Sequence, residues 1–365
     1  MDLEWLLAEL KGSNSRHILI QSPLGLRNLA EAVSKALREA GFTTVLSGSR
    51  CWGGCDIAYR EAEALGIDTI IHMGHTPFMR KDRVKTIYLE CRYEDPNPLE
   101  ELIPALMDEL AGIKRVGLAA SIQWISHIPL LARRLEKAGK TVLIARPSMF
   151  SQYTGQVLGC DYSSIMTLRD DVEAFIVLGS LFHGLGAALL SDRKTVALDP
   201  FTQRVSDLKL LREQILRQRY GWIVAFSKCR SVGVVGSVKP GQARFGLAEM
   251  LLRVLRSSGL KTGLISADEV DANLTVEYAY EGYVNTACPR LSIEDQSRFS
   301  KPFLLPMETL VALGLIEWEY VLEKGLLMYP WGWNPKEGEI FWKIIRGEGI
   351  SSEKRLHYPE ISCAL

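Results

Sequence analysis

Short, unbroken apolar runs in this chain alternate with longer stretches of helical spacing, and the alternation recurs three times. Each round opens on an apolar run ending at a small residue: His17 to Ser22, Val116 to Ser121 and Val232 to Ser237. An amphipathic stretch follows and closes on a small residue plus glycine, at Ala40-Gly41, Ala138-Gly139 and Ser258-Gly259. Glycine there supplies the left-handed residue that ends a helix. A second strand comes directly after, at Thr43 to Leu46, Thr141 to Ala145 and Thr262 to Ile265. The joining segments ALREAGFTTVL, RLEKAGKTVLI and LRSSGLKTGLI align by eye. A third apolar strand then appears at Thr69 to His75, Ala174 to Ser180 and Gly282 to Cys288.

Strand, helix and strand in succession, with β-branched and fully apolar strands, predict right-handed βαβ units and a parallel sheet in each round. The fold class is α/β: three pseudo-repeated domains, each a small parallel sheet flanked by helices, arranged around a common centre. The expected domains are 1–110, 111–210 and 211–365, the last with an aromatic extension (Tyr329, Trp331, Trp333 and Trp342, with Pro330 and Pro335). Units of this length are small domains, not solenoid repeats. Aromatic surface with prolines can dock a protein, but such a tail more commonly packs over its own domain or a dimer seam.

Length agrees with this division, since 365 residues exceed one ordinary core. At 47% hydrophobic and 24% charged, the composition is that of a globular protein. The 43 basic and 43 acidic residues cancel, so overall charge recruits neither nucleic acid nor an anionic membrane. Met1 to Lys11 reads as a short acidic amphipathic helix and not as a signal peptide. The longest apolar stretch, Ala174 to Leu190, is broken by His183 and three glycines and reads as strand, loop and helix instead of a membrane span. Seven scattered cysteines, an odd number, suit a reducing cytoplasm better than a disulfide framework.

The cysteines carry the chemistry. Cys55 and Cys160 share one setting, Gly54-Cys55-Asp56 and Gly159-Cys160-Asp161, roughly a hundred residues apart, and the third strand of the last round ends on Cys288. Ligands gather at the carboxyl ends of strands in open parallel sheets, so three rounds can aim three thiolates at one point. An iron–sulfur cluster with one open iron suits that donor set; structural zinc prefers four ligands in close-spaced pairs. Cys91 and Cys229 are read as small core residues, and Cys363 lies in the extreme tail. Cys51 forms Cys51-Trp-Gly-Gly-Cys55 but lacks the third cysteine of the usual radical-enzyme motif, and only Cys55 repeats the Gly-Cys-Asp context.

Four segments together resemble the archaeal diphthamide biosynthesis enzymes, the 2-(3-amino-3-carboxypropyl)histidine synthases: GGCDIAYREAEALGIDTIIHMGHTPF (53–78), TGQVLGCDYSS (154–164), GSVKPGQAR (236–244) and YVNTACPRLSIED (283–295). Cys51 and the cysteine near the C-terminus depart from the family pattern. The resemblance implies a homodimer of three-domain subunits, each holding a 4Fe-4S cluster on Cys55, Cys160 and Cys288. S-adenosylmethionine would bind the unique iron, and an electron would cleave its bond between sulfur and the γ-carbon. The 3-amino-3-carboxypropyl group would pass to C2 of a histidine imidazole in elongation factor 2, leaving methylthioadenosine. An electron-donor protein is implied as well.

With the cofactor carrying the chemistry, placement of the substrate matters more than any acid–base pair, and no catalytic dyad is expected. Gly236, Ser237 and Gln242, in a strand-to-helix loop with Lys239, Pro240, Gly241 and Arg244, are candidates for S-adenosylmethionine, as is Arg290 beside Cys288. The loop lacks the spacing of a Walker phosphate loop, and an ordinary turn is the plain alternative. For Arg290 and Asp295 the plain alternative is an interface salt bridge. His75 falls where Cys288 falls in the third round and is expected near the centre with His72, although a histidine there is more commonly a hydrogen-bonding residue than a ligand. Two rival readings remain: a quinolinate synthase-like 4Fe-4S enzyme, and a non-catalytic partner subunit of the same fold.

Overall fold

The computed structural model describes residues 3–12, 15–332 and 336–348; Trp333, Pro335 and Cys363 lie outside them. It contains three sheets. The first is built from β1 (His17–Gln21), β2 (Thr43–Leu46), β3 (Thr69–Met73) and β4 (Lys85–Leu89), in the order β2-β1-β3-β4. The second holds β5 (Arg115–Ala120), β6 (Thr141–Leu143), β7 (Ala174–Leu178), β8 (Lys194–Asp199) and β9 (Arg204–Asp207), ordered β6-β5-β7-β8-β9. The third has β10 (Ser231–Ser237), β11 (Lys261–Ala267), β12 (Gly282–Asn285) and β13 (Phe303–Leu304), ordered β11-β10-β12-β13. The first four strands of every sheet follow one pattern, second-first-third-fourth, and are parallel throughout.

The helix stops read from sequence are where the first crossover of each sheet turns back. Gly41, Gly139 and Gly259 have φ of +91°, +80° and +83°, a region that other residues enter only with strain. The third strands end earlier than expected. Gly74 (φ +83°) and Gly179 (φ +150°) break β3 and β7, so His75 and Ser180 lie beyond them. The expectation of purely parallel sheets needs one correction: β9 runs antiparallel to β8. Only Pro200 to Gln203 separate the two, and a parallel return would need a crossover of about a dozen residues.

Two compact units contain these sheets, one formed by Met1–Glu213 with Val238–Ala243, the other by the rest of the described chain. In the first, Leu118, Ile176 and Leu198 of the second sheet pack with Trp124 and Leu131 of the flanking helices. Ile18, Ile20 and Ile71 of the first sheet pack against Leu6, Leu10, Val33 and Leu37. Leu6 and Leu10 belong to the N-terminal helix Leu3–Gly12, as the amphipathic pattern predicts. Ala174 to Leu190 is the buried strand β7 followed by the helix Leu181–Leu190. Among the described residues no helix is long and apolar enough to cross a membrane.

The second unit is organised around a buried arginine. Arg219, on the helix Lys209–Phe226, pairs with Glu308 through both carboxylate oxygens. It also donates to the Ser292 carbonyl (2.6 Å), Gln296 Oε1 (2.7 Å) and the Phe303 carbonyl (3.1 Å). Glu308 in turn accepts the Leu305 amide at 2.7 Å. Side-chain exposures of 1% and 0% mean that neither charge has water to fall back on. Glu308→Gln is therefore expected to destabilise this unit by about 3–5 kcal/mol, read as loss of its denaturation transition at lower denaturant than wild type.

Candidate functional site

The tripeptide Gly-Cys-Asp recurs because each residue has its own mechanical task. At Gly54 an added Cβ would lie 2.5 Å from the Thr76 carbonyl oxygen, and at Gly159 it would lie 2.1 Å from the Phe182 ring. Only glycine lets either loop pack so closely. The aspartates then tie each loop down from inside. Asp56 accepts the Trp52 amide (3.2 Å) and the Lys239 ammonium (3.0 Å). Asp161 accepts the Ser163 amide (3.0 Å), the Ser163 hydroxyl (2.5 Å) and the Ser148 hydroxyl (2.5 Å). Both carboxylates are buried, whereas Cys55 and Cys160 between them stay half-buried and free of disulfides.

Segments at the carboxyl ends of the first two sheets join the two loops within the first unit. Gly54 packs on Phe78, which stacks on Phe150 with ring centres 4.7 Å apart. Gln156 donates to the Thr76 hydroxyl (3.0 Å) and Gln152 to the Pro77 carbonyl (3.0 Å). Ser148, two residues before Phe150, holds Asp161. A continuous line of contacts thus runs from the loop of Cys55 to the loop of Cys160.

Segment 238–243 belongs to the first unit and closes on Cys55. The Gly241 amide donates to the Cys55 carbonyl at 2.8 Å, and Gln242 Nε2 donates to Cys55 Sγ at 3.4 Å. An added Cβ at Gly241 would lie 2.5 Å from Cys55 Cβ and 2.8 Å from the Phe78 ring. Burial pushes the Cys55 thiol up, the Gln242 hydrogen bond pulls against that, and Asp56 adds to the rise. This thiol becomes a thiolate when a cation binds it.

Cys288 does not occupy the position of the other two. Cys55 and Cys160 fall between the second and third strands of their sheets, whereas Cys288 follows the third strand, β12, where His75 stands in the first sheet. Its turn is held within the second unit. Asn285 donates to the Cys288 carbonyl (2.6 Å) and accepts the Ala287 amide (2.9 Å), and Trp331 Nε1 donates to the Ala287 carbonyl (3.1 Å). Trp331 is 3% exposed, so this part of the aromatic extension packs over its own unit. Tyr329 does likewise, accepting the Trp342 indole N–H at 2.7 Å.

The remaining expected residues divide by location. Gly236 and Ser237 are the last two residues of β10, with Gly236 packed on the Phe245 ring. Arg290 pairs with Glu294 one turn on (2.8 Å), and Asp295 with Arg298 (3.3 Å), both local to the second unit. His75 hydrogen-bonds to buried His72 (Nδ1 to Nε2, 3.0 Å), and Cys51 Sγ approaches His72 Nε2 at 4.0 Å. Burial and the His75 neighbour hold His72 well below the usual histidine range, and burial holds His75 down to about 4. Cys91 packs half-buried on the first core, and Cys229 donates to the Ala225 carbonyl. Reading by sequence missed Lys239 as the partner of Asp56 and missed the Phe78–Phe150 stack; no local signal links residues so far apart in the chain.

Residues 22–322 match the family described as "Putative diphthamide synthesis protein". The chain belongs to the diphthamide synthesis family. It is 33% identical over 323 residues to the 2-(3-amino-3-carboxypropyl)histidine synthase of Pyrococcus horikoshii, covering 87% of this chain and 92% of that protein. It is 25% identical to subunit 1 of the corresponding Caenorhabditis elegans synthase, over 84% and 78% of the two chains. Among solved structures, Dph2 from Pyrococcus horikoshii with a 4Fe-4S cluster superposes with a TM-score of 0.79 at 31% identity, over 87% and 91% of the chains. These relatives identify the diphthamide synthesis chain as a transferase.

The packing at Gly241 yields a test. Gly241→Ala is expected to cost about 1–3 kcal/mol of stability through overlap with Cys55. Gly246→Ala, where nothing lies within 4 Å, should stay within about 1 kcal/mol of wild type. Chemical denaturation of the two variants measures the difference.

Proposed function

We propose that this chain is a 2-(3-amino-3-carboxypropyl)histidine synthase that carries a 4Fe-4S cluster on Cys55, Cys160 and Cys288 and acts in the first step of diphthamide formation. The observation that carries the reading is the pair of Gly-Cys-Asp loops, each pinned from inside by a buried aspartate with its thiol left free of disulfides. Three thiolates suit an iron–sulfur cluster and leave one iron for a substrate ligand. When bound, such a cluster supplies a single electron and an open coordination position to S-adenosylmethionine.

The chain's own residues hold and orient. Asp56 holds the backbone before Cys55, Asp161 holds the backbone after Cys160, and Gln242 steers the Cys55 sulfur by donating to it. Gly236, Ser237, Gln242 and Arg290 are the residues proposed to place S-adenosylmethionine. Selecting the γ-carbon bond over the other two bonds to sulfur is a matter of that placement. The transfer balances without net oxidation: the bond from sulfur to the γ-carbon breaks, a bond to imidazole C2 forms, and the C2 hydrogen leaves as a proton. The proposed acceptor is a histidine of elongation factor 2. The proposed form is a cytoplasmic homodimer served by an electron-donor protein, with domain boundaries near Leu110 and Leu210.

Protein purified and reconstituted without oxygen should carry about four irons per chain, and Cys55→Ala, Cys160→Ala or Cys288→Ala should each lower that content several-fold. Incubation of the reduced protein with S-adenosylmethionine should yield methylthioadenosine by mass spectrometry, together with a four-carbon amino-acid fragment. Equal, negligible iron in wild type and variants would sink the proposal. So would 5′-deoxyadenosine as the product, or no turnover by a verified, reduced cluster.

A further inference from the structure

Cys51, His72 and His75 come from two separate segments, the loop after β2 and the end of β3, yet their ligand atoms lie within 4.8 Å of one another. Cys51 and His72 are buried, and His75 is partly exposed just past the turn at Gly74. None of the three proposed iron ligands is among them.

The orientation of His72 is set by its neighbours. Gln21 Nε2 donates to the Asp56 carbonyl (2.7 Å), and Gln21 Oε1 accepts the Ala58 amide (3.0 Å), so the oxygen end of this amide is identified by its backbone partners. That oxygen lies 2.9 Å from His72 Nδ1 and can only accept, so Nδ1 carries the proton. His72 Nε2 therefore presents its lone pair toward Cys51 Sγ at 4.0 Å and His75 Nδ1 at 3.0 Å. An imidazole whose far nitrogen donates to a carbonyl oxygen while the near one faces a thiol and a second imidazole is the arrangement of a metal ligand with its orienting partner. A tetrahedral zinc ion needs donors about 3.3 Å apart (nitrogen to nitrogen) and about 3.6 Å apart (nitrogen to sulfur). The observed nitrogen–nitrogen separation of 3.0 Å is about 0.3 Å shorter than the first value, the nitrogen–sulfur separation of 4.0 Å about 0.4 Å longer than the second, and the remaining pair lies within 4.8 Å.

We propose that Cys51 Sγ, His72 Nε2 and His75 Nδ1 form a second metal site, for one zinc(II) ion. One thiolate with two imidazoles matches the ligand preference of zinc, and three protein ligands leave a fourth position for water or another donor. The ion ties the loop that presents Cys55 to the end of β3.

Elemental analysis of the full-length chain, purified without oxygen from medium containing iron and zinc, tests this. The expected result is about one zinc per chain in wild type and at least tenfold less in Cys51→Ser and His75→Gln, with iron unchanged. Cobalt(II) gives a second readout that survives a poorly folding variant. In the full-length chain carrying Cys55→Ala, Cys160→Ala and Cys288→Ala, bound cobalt should show a near-ultraviolet thiolate band, lost on adding Cys51→Ser. Zinc-free wild type with no cobalt spectrum would overturn the site and leave His72 and His75 as a hydrogen-bonded pair beside a thiol. Zinc retained in both variants would overturn it as well, and loss of iron in place of zinc would instead assign Cys51 to the iron ligands. Wild type with zinc but no iron would support this site while counting against the proposed cluster.

Discussion

The ion pair between Asp56 and Lys239 governs the first cysteine. At side-chain exposures of 8% and 7%, the two charges pair at 3.0 Å with little water around them. A lone buried charge costs several kcal/mol, so Asp56 holds Lys239, and with it segment 238–243, against the loop. The consequences reach the thiol directly. Gly241 then meets the Cys55 carbonyl, Gln242 meets the Cys55 sulfur, and no side chain larger than hydrogen fits between. A contact spanning 183 residues thus determines the surroundings of Cys55.

The same plan has been executed differently in the second loop. Asp161 has serine hydroxyls at Ser148 and Ser163 where Asp56 has an ammonium. Neutral donors satisfy the buried carboxylate without bringing a distant segment, so the Cys160 loop is held by its own neighbourhood. The third cysteine is followed by Pro289 instead of an aspartate, and its turn is held by the Asn285 amide and Trp331. Repetition of strand order across the three sheets therefore coexists with three distinct ways of holding a cysteine.

Open parallel sheets leave their carboxyl edges free for ligands. The loops of Cys55 and Cys160 meet along such edges through Phe78 and Phe150. His72 lies one residue before the end of β3, at the carboxyl edge of the first sheet, and His75 and Cys51 gather there with it.

Much of this was legible in the chain. Apolar runs, helical spacing and the glycines at 41, 139 and 259 are local signals, and the backbone obeys them because burial and a positive φ act residue by residue. The repeated Gly-Cys-Asp marked the two loops for the same reason. Strand ends were set short by Gly74 and Gly179, and the antiparallel β9 by a turn too short for a crossover. The partners could not be read ahead: Lys239 for Asp56, Gln21 for His72, Phe150 for Phe78 and Glu308 for Arg219 lie 183, 51, 72 and 89 residues away. By itself the sequence determined the repeated strands, the helix stops and the two Gly-Cys-Asp loops. Tertiary structure alone decided which buried charges and hydrogen bonds hold them, because those energies exist only once distant segments share the same water-excluded space.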